Sequence, residues 1–196
     1  MPENVTAKPR NSPKRDHLLD TAFRLFYQDG YHAVGIDTIL AEAKVAKMTL
    51  YNHFKSKDEL IVAVLQRHRI AFTSKRDAIL QDSKRSPLQK LDALFDMFTE
   101  WFNSEDFNGC INIRAVAEYP APSSPINQTV KAAKQSTIDA LETLCQELGA
   151  NHPAELAKQL FLLTEGAIVH AHTFNDPTAA LNAKTAALAL ANASTS

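Results

Sequence analysis

The run from Ile36 to Leu60 leaves this chain few ways to fold. Ile36, Ile39, Leu40 and Ala43 recur at helical spacing and stop at Lys44-Val45-Ala46. A second short helical run, Lys47 to Phe54, follows that three-residue break and puts Leu50 and Phe54 on one apolar side. Ser56-Lys57-Asp58-Glu59 then reads as a capping box that opens a third helix. Two short helices across so tight a turn are a helix-turn-helix, whose second helix can enter a DNA major groove. With Leu50 and Phe54 inward, that helix presents Lys47, Met48, Thr49, Tyr51, Asn52 and His53 outward. A cation, hydroxyl, phenol, amide and imidazole on one rod are groups that bond phosphates and base edges.

These residues resemble the N-terminal DNA-binding domain of the TetR family of bacterial transcriptional regulators. The resemblance rests on Ile39-Leu40-Ala41-Glu42-Ala43-Lys44-Val45-Ala46, then Thr49-Leu50-Tyr51-Asn52-His53-Phe54, then Ser56-Lys57-Asp58-Glu59-Leu60, with Ala22-Phe23-Arg24-Leu25-Phe26 and Gly30-Tyr31 upstream. It covers about residues 14 to 65. Two positions depart from the family pattern. Lys44 stands where the family has Gly, and a side chain at a positive-φ position costs about 1 kcal/mol. Ala46 stands where the family has Ser, and the loss of a helix cap costs ~1 kcal/mol.

With 45 per cent apolar residues, five glycines among 196 residues and no long β-branched alternation, the chain is expected to be all-α. The predicted organisation is a basic arm over residues 1–12, a helix-turn-helix domain over 13–60, and a helical ligand-binding and dimerisation domain over 61–196. A connecting helix is expected at about 57–80, and the polar stretch Gln81 to Arg85 reads as a separator between domains. In the arm, Lys8, Arg10, Lys14 and Arg15 are placed to reach DNA backbone or the minor groove, although a frayed end reads equally well. Residues 1–85 carry 15 Lys+Arg against 10 Asp+Glu, and residues 86–196 carry 6 against 12. A basic end on an acidic body suits a protein that offers one end to phosphates.

Helix starts are marked by a capping residue before Pro at Ser12-Pro13, Ser86-Pro87, Ser124-Pro125 and Asp176-Pro177, and more weakly at His152-Pro153. The predicted helices span 13–29, burying Leu18, Leu19, Ala22, Phe23, Leu25 and Phe26, then 87–104, a short one from Gly109-Cys110 to Tyr119-Pro120, 125–148, 153–174 and 177–192. Leu156, Leu160, Leu163, Ala167, Ala171 and Phe174 form a stripe on the first of the last pair. Ala179, Ala180, Ala183, Ala186, Ala187 and Leu190 populate the second. Small residues permit close helix approach, so this pair is a candidate four-helix dimer interface, or else a cover for its own subunit's core. The resemblance implies the former: a homodimer through the last two helices, reading a palindromic operator in double-stranded DNA.

The resemblance further implies a pocket for a small-molecule effector, whose binding moves the two DNA-binding domains apart. Its candidate lining is Phe95, Phe98, Trp101, Phe102, Cys110, Ile113, Arg114, Phe161, Glu165 and His170. Aromatic walls with few polar groups suit a mostly apolar molecule, and ordinary core packing is the competing role for each ring. Arg114, Glu118 and Glu165 would need a partner or a ligand if buried.

The DNA-binding candidates are Thr38, Lys47, Met48, Thr49, Tyr51, Asn52, His53 and Lys57. Asn52 is assigned to base edges and Tyr51, His53 and Lys57 to phosphates, with Thr38 adding a backbone contact. His170 and His172 point about 200° apart on a helix and share no metal by themselves. Cys110 and Cys145 make neither a disulfide framework nor a zinc pattern, and no Lys, His or second Cys lies near Cys110 in sequence. No metal, cofactor or enzyme chemistry is expected, since no phosphate loop, carboxylate pair or nucleophile elbow occurs. Without a membrane-length apolar run or a signal-peptide pattern, the expected location is cytoplasmic. The whole reads as a sequence-specific DNA-binding regulator, a repressor released by its effector. The rival reading is a helical small-molecule- or protein-binding dimer that has lost DNA function.

Overall fold

The computed structural model describes residues 12–195, and the expected arm, with Lys8 and Arg10, falls outside them. Among the described residues the elements are all helices: α1 (Pro13–Asp29), α2 (Ile36–Ala43), α3 (Lys47–Tyr51), α4 (Lys57–Leu80), α5 (Pro87–Phe102), α6 (Ile111–Glu118), α7 (Pro125–Glu147), α8 (Pro153–Phe174) and α9 (Ala179–Ala193). No described helix is long and apolar enough to cross a membrane. Two compact units form, Met1–Val64 and Leu65–Ser196.

The first unit closes around Leu18, Leu19, Ala22, Phe26, Tyr31, Ile39, Leu50 and Phe54, all buried. Phe23 is a difference from expectation: it is only half-buried and stacks on Tyr27 at 5.5 Å, while Thr21 takes a buried place on α1. Gly30, at φ 91, ends α1 and turns the chain so that Tyr31 lies on Phe26 at 5.0 Å. The side chain of His17 bonds the carbonyl of Ala43 at 3.0 Å, which satisfies an orphan acceptor at the end of α2. Lys14 and Arg15 belong to α1 rather than to an arm, and the Arg15 guanidinium lies 5.2 Å from the Phe54 ring.

The turn after α2 has the geometry that the glycine-type stop requires. Lys44 adopts φ 54, ψ 43, its N–H bonds the Ala41 carbonyl at 3.3 Å, and the Val45 N–H bonds the Leu40 carbonyl at 3.2 Å. That is a Schellman stop built on a lysine. The same stop recurs after α7 at Gly149, φ 77, where the Ala150 N–H bonds Cys145 O at 3.1 Å. Asn175, at φ 50, ends α8 in the left-handed region as well. Glycine and asparagine suit that region; lysine carries the steric cost. Ala46 begins α3 with no side-chain cap, as its chemistry requires.

The second unit packs α8 against α7 and α9, with α5 against α9 and α7 and α6 against α7. Leu91, Phe95, Leu144, Leu156, Leu160, Ala180 and Ala187 lie in its buried cluster. Ion pairs tie the helices at their edges: Lys184 reaches Asp92 at 2.8 Å and Asp96 at 2.7 Å, and Lys90 reaches Glu147 at 2.7 Å. Burial alone would lower the pKa of Lys184, but the hydrogen bonds its ammonium donates to the Asp92 and Asp96 carboxylates outweigh it and raise the pKa.

Several expectations need correction. Gln81–Arg85 lies inside the second unit, because the division falls within α4 and the later α4 residues Phe72, Ile79 and Leu80 pack on that unit's core. The break in sequence polarity is therefore a local turn. α9 begins at Ala179, since Asp176 and Pro177 form a turn in which the Asp176 carboxylate takes the Thr178 N–H at 2.9 Å. The Thr178 bonds, side chain first, hold that carboxylate below its ordinary pKa. Ser12 offers no side-chain cap, whereas Ser86 makes a full capping box with Gln89 and Ser124 caps through Ile126. α5 ends at Phe102 rather than residue 104. The alanines of α9 are spent inside their own subunit: Ala179, Ala180, Ala183 and Ala187 are buried there, while Phe174 is 68% exposed.

Lys44→Gly is expected to stabilise the chain by about 1 kcal/mol and Ala46→Ser by a similar amount, read as midpoint shifts in urea unfolding. No gain for Lys44→Gly would mean that the left-handed lysine is held by contacts that compensate its backbone cost.

Candidate functional site

α3 has only five residues, and a helix so short has no stability of its own in water. Leu50, with no exposed surface, and Phe54, at 2%, hold it to the unit. Burying two such side chains contributes about 1.5–3 kcal/mol each. The helix ends at Tyr51 rather than Phe54 because the backbone tightens: the N–H groups of His53 and Phe54 both bond the Leu50 carbonyl at 2.9 Å. Asn52 keeps helical dihedrals at φ −69, ψ −20, so its side chain still projects as from a further helical residue.

Of the predicted DNA-contacting residues, Thr38, Lys47, Met48, Tyr51 and Asn52 are exposed on α2, α3 and the turn after it. Met48 is 71% exposed and Tyr51 44%, unusual for side chains of that size with no packing role. Thr49, His53 and Lys57 are half-buried. The Lys47 ammonium lies 3.7 Å from Asp37 and stays largely in solvent. At the start of α4, Ser56 accepts the Glu59 N–H at 3.1 Å while Glu59 accepts the Lys55 N–H at 2.7 Å, a reciprocal cap that sets where Lys57 begins its helix.

Charge does not set this end apart as strongly as the sequence division implied. Cut at the observed boundary, residues 1–64 hold 9 Lys+Arg against 8 Asp+Glu. The basic excess seen over residues 1–85 comes largely from the later part of α4 and the turn after it.

The second unit contains a cavity of about 960 Å³. Phe98, Trp101, Cys110, Phe161 and Glu165 line it as predicted. Phe95 and Phe102 do not; both are core, and Phe95 borders only a void of about 20 Å³. Ile113 packs against the core, Arg114 is half-buried outside the cavity lining, and His170 pairs with Asp176 at 3.2 Å in solvent. Sequence reasoning missed His68, Phe72, Met97, Lys134, Thr137 and Thr164, which also line the space. A signal for Lys134 existed: it interrupts the stripe Val130, Thr137, Leu141 on α7.

Lys134 is the centre of the cavity's polar chemistry. Its ammonium forms an ion pair with Glu165 from α8, lies 4.0 Å from the Cys110 sulfur and sits 5.7 Å from the centre of the Phe161 ring. Thus Cys110 does have a lysine beside it, brought from 24 residues away by the packing of α6 on α7. Cys145 is a fully buried free thiol whose pKa burial and the nearby Glu142 push up to about 11, so it is inert. No group of His, Cys, Asp and Glu among the described residues could hold a metal.

Comparison with known proteins agrees with both halves. The sequence profile described as bacterial regulatory proteins, tetR family, matches residues 18–64. A TetR-family transcriptional regulator from Streptomyces coelicolor, solved by crystallography, superposes with a TM-score of 0.88 at 32% identity, covering 93% of this chain and 96% of that one. The HTH-type transcriptional repressor ComR of Escherichia coli is 32% identical over 146 residues, 71% of this chain and 69% of its own. The HTH-type transcriptional activator FasR of Mycolicibacterium smegmatis is 35% identical over 137 residues, 68% of this chain and 58% of its own.

Burial lowers the pKa of His68 below its ordinary 6.5, so the folded chain holds this imidazole neutral. Between the folded and unfolded pKa values the unfolded state binds more protons, so stability falls as pH drops through 6.5. His68→Gln is expected to flatten that loss, checked by urea unfolding at a series of pH values on either side. An unchanged pH slope in the variant would assign the acid loss to other groups.

Proposed function

The chain belongs to the TetR family of bacterial regulatory proteins and is a DNA-binding transcriptional regulator; from that premise we propose that it is a repressor released from a palindromic operator when a small molecule fills the cavity. The observation that carries the reading is the division of labour on α3 and the turn after it, where Leu50 and Phe54 are buried while Lys47, Met48, Tyr51 and Asn52 are exposed. Asn52 takes base edges, where an amide can make a donor-acceptor pair with adenine. Tyr51, His53 and Lys57 take phosphates, and Thr38, near the start of α2, adds a further backbone contact. Met48 and Thr49 complete the surface in the groove.

A helix of this length reads only a few base pairs, so specificity calls for a second copy. Regulators of this family bind DNA and dimerise. The dimer is assigned to the last two helices, α8 and α9. Leu162 at 68%, Val169 at 49%, Phe174 at 68% and Leu181 at 56% exposure are large apolar side chains available there. A two-fold dimer places its recognition helices on half-sites one helical turn apart, hence the palindrome. Repression is favoured over activation because loss of binding on filling the cavity needs no contact with a further protein.

The test is selection of bound duplexes from a random pool, followed by anisotropy titrations on the enriched site. A palindrome should emerge, and affinity should fall as salt rises. Asn52→Ala should lose about 1–3 kcal/mol of discrimination between operator and random DNA. Tyr51→Ala should weaken both alike. Equal losses on both for Asn52→Ala would remove that residue from base readout.

A further inference from the structure

Lys134 and Glu165 form an ion pair inside a largely apolar cavity, on facing helices α7 and α8, at side-chain exposures of 21% and 25%. Resting on the reading of this cavity as the effector site, we propose that the effector is an uncharged aromatic molecule whose single polar group accepts a hydrogen bond from Lys134 and donates one to Glu165.

Charge balance in the cavity favours a neutral molecule. The ionic pair that lies deepest in the cavity is balanced within the chain: Lys134 cancels Glu165. Asp96 shares Lys184 with Asp92, at 2.7 and 2.8 Å, and its carboxylate is more than half exposed, so the charge left over there is met by water. Arg85 is paired with Asp82 at 3.1 Å. His68 contributes no charge near neutral pH, since burial lowers its pKa. Arg69, Lys75 and Glu100 also border the space, but they are exposed and already solvated. An ion entering beside that pair would give up its hydration and find no unbalanced partner to replace it. A neutral molecule does not meet that penalty.

What remains on offer is hydrogen bonding. An ammonium has three donors, and the bond of Lys134 to Glu165 engages one of them, while the Cys110 sulfur lies at the limit of contact. Glu165 uses one carboxylate oxygen in that bond and keeps the other. A primary amide satisfies both, with its carbonyl toward Lys134 and its N–H toward Glu165. Around that polar spot Phe72, Phe98, Trp101 and Phe161 supply ring faces, and the volume of about 960 Å³ admits a polycyclic skeleton.

The experiment uses three probes on one skeleton: biphenyl carboxamide, biphenyl carboxylate and biphenylmethyl ammonium. Each is titrated calorimetrically into the full chain, with quenching of Trp101, the only tryptophan, as a second readout at the cavity wall. The carboxamide should bind at least about tenfold more tightly than either ion. Glu165→Gln leaves Lys134 uncompensated and should move the preference to the carboxylate. Lys134→Met leaves Glu165 uncompensated and should move it to the ammonium. Helical circular dichroism and unfolding midpoints establish that both variants are folded, and the two opposite changes guard against a general loss of structure. Tighter binding of either ion to the unaltered chain, or no change of order in the variants, overturns the neutral-effector proposal and leaves the cavity reading standing. Failure of all three probes to bind at millimolar concentration overturns both.

Discussion

Two buried side chains, Leu50 and Phe54, carry a structure that its backbone could not hold alone. Five residues of helix cannot offset the entropy of their own ordering, so the position of α3 is set by what those two side chains bury. With those two inward residues anchoring the rod, Lys47, Met48, Tyr51 and Asn52 are left exposed, while Thr49 and His53 are half-buried. The Lys44 stop and the uncapped Ala46 both lie within three residues of that rod. They lower the local stability without moving the anchors.

The sequence made the long helices legible because their ends carry chemistry that works over one or two residues. Pro13, Pro125 and Pro153 start helices where a missing N–H costs nothing, and Gly149 stops one by tolerating a positive φ. Where the end depends on hydrogen-bond geometry instead, the reading drifted. Asn52 and His53 continue the helical turn through bonds to Met48 and Leu50 yet lie outside α3, and the Asp176 turn displaces the start of α9 to Ala179. The polar run at Gln81–Arg85 was misread for a related reason. It looks like a linker, but the division falls within the continuous helix α4, close to the 60/61 boundary expected from the sequence, and the polar run is a local turn inside the second unit.

The cavity was only half legible. Its aromatic residues stand out in sequence, and Phe98, Trp101 and Phe161 do line it, but aromatic identity does not separate wall from core. Phe95 and Phe102 share the α5 spacing and face the packed side. Lys134, His68 and Thr137 were missed because each comes from a helix whose orientation is set by tertiary packing. Their trace in sequence is a polar residue interrupting an apolar stripe, which has many ordinary explanations until a second such interruption is found opposite. Glu165 facing Lys134 is that second interruption.

The two sites treat charge in opposite ways. Inside the cavity Lys134 and Glu165 are matched to each other, so under the proposed reading selectivity comes from the cost of bringing in an ion that has no partner. On α3 the one charged side chain, Lys47, has Asp37 at 3.7 Å, and both stay largely in solvent. Yet residues 1–64 have nearly equal numbers of basic and acidic side chains, so phosphate attraction over the whole unit is weak. Affinity for DNA must then come from a few well-placed contacts, made twice by a dimer, rather than from a broadly basic surface. A binder of that kind gains little on random duplex and is sensitive to the spacing of its two recognition helices. Under the proposed release by a small molecule, that sensitivity is what ligand binding would act on: when few contacts carry the affinity, a small change in spacing removes a large share of them.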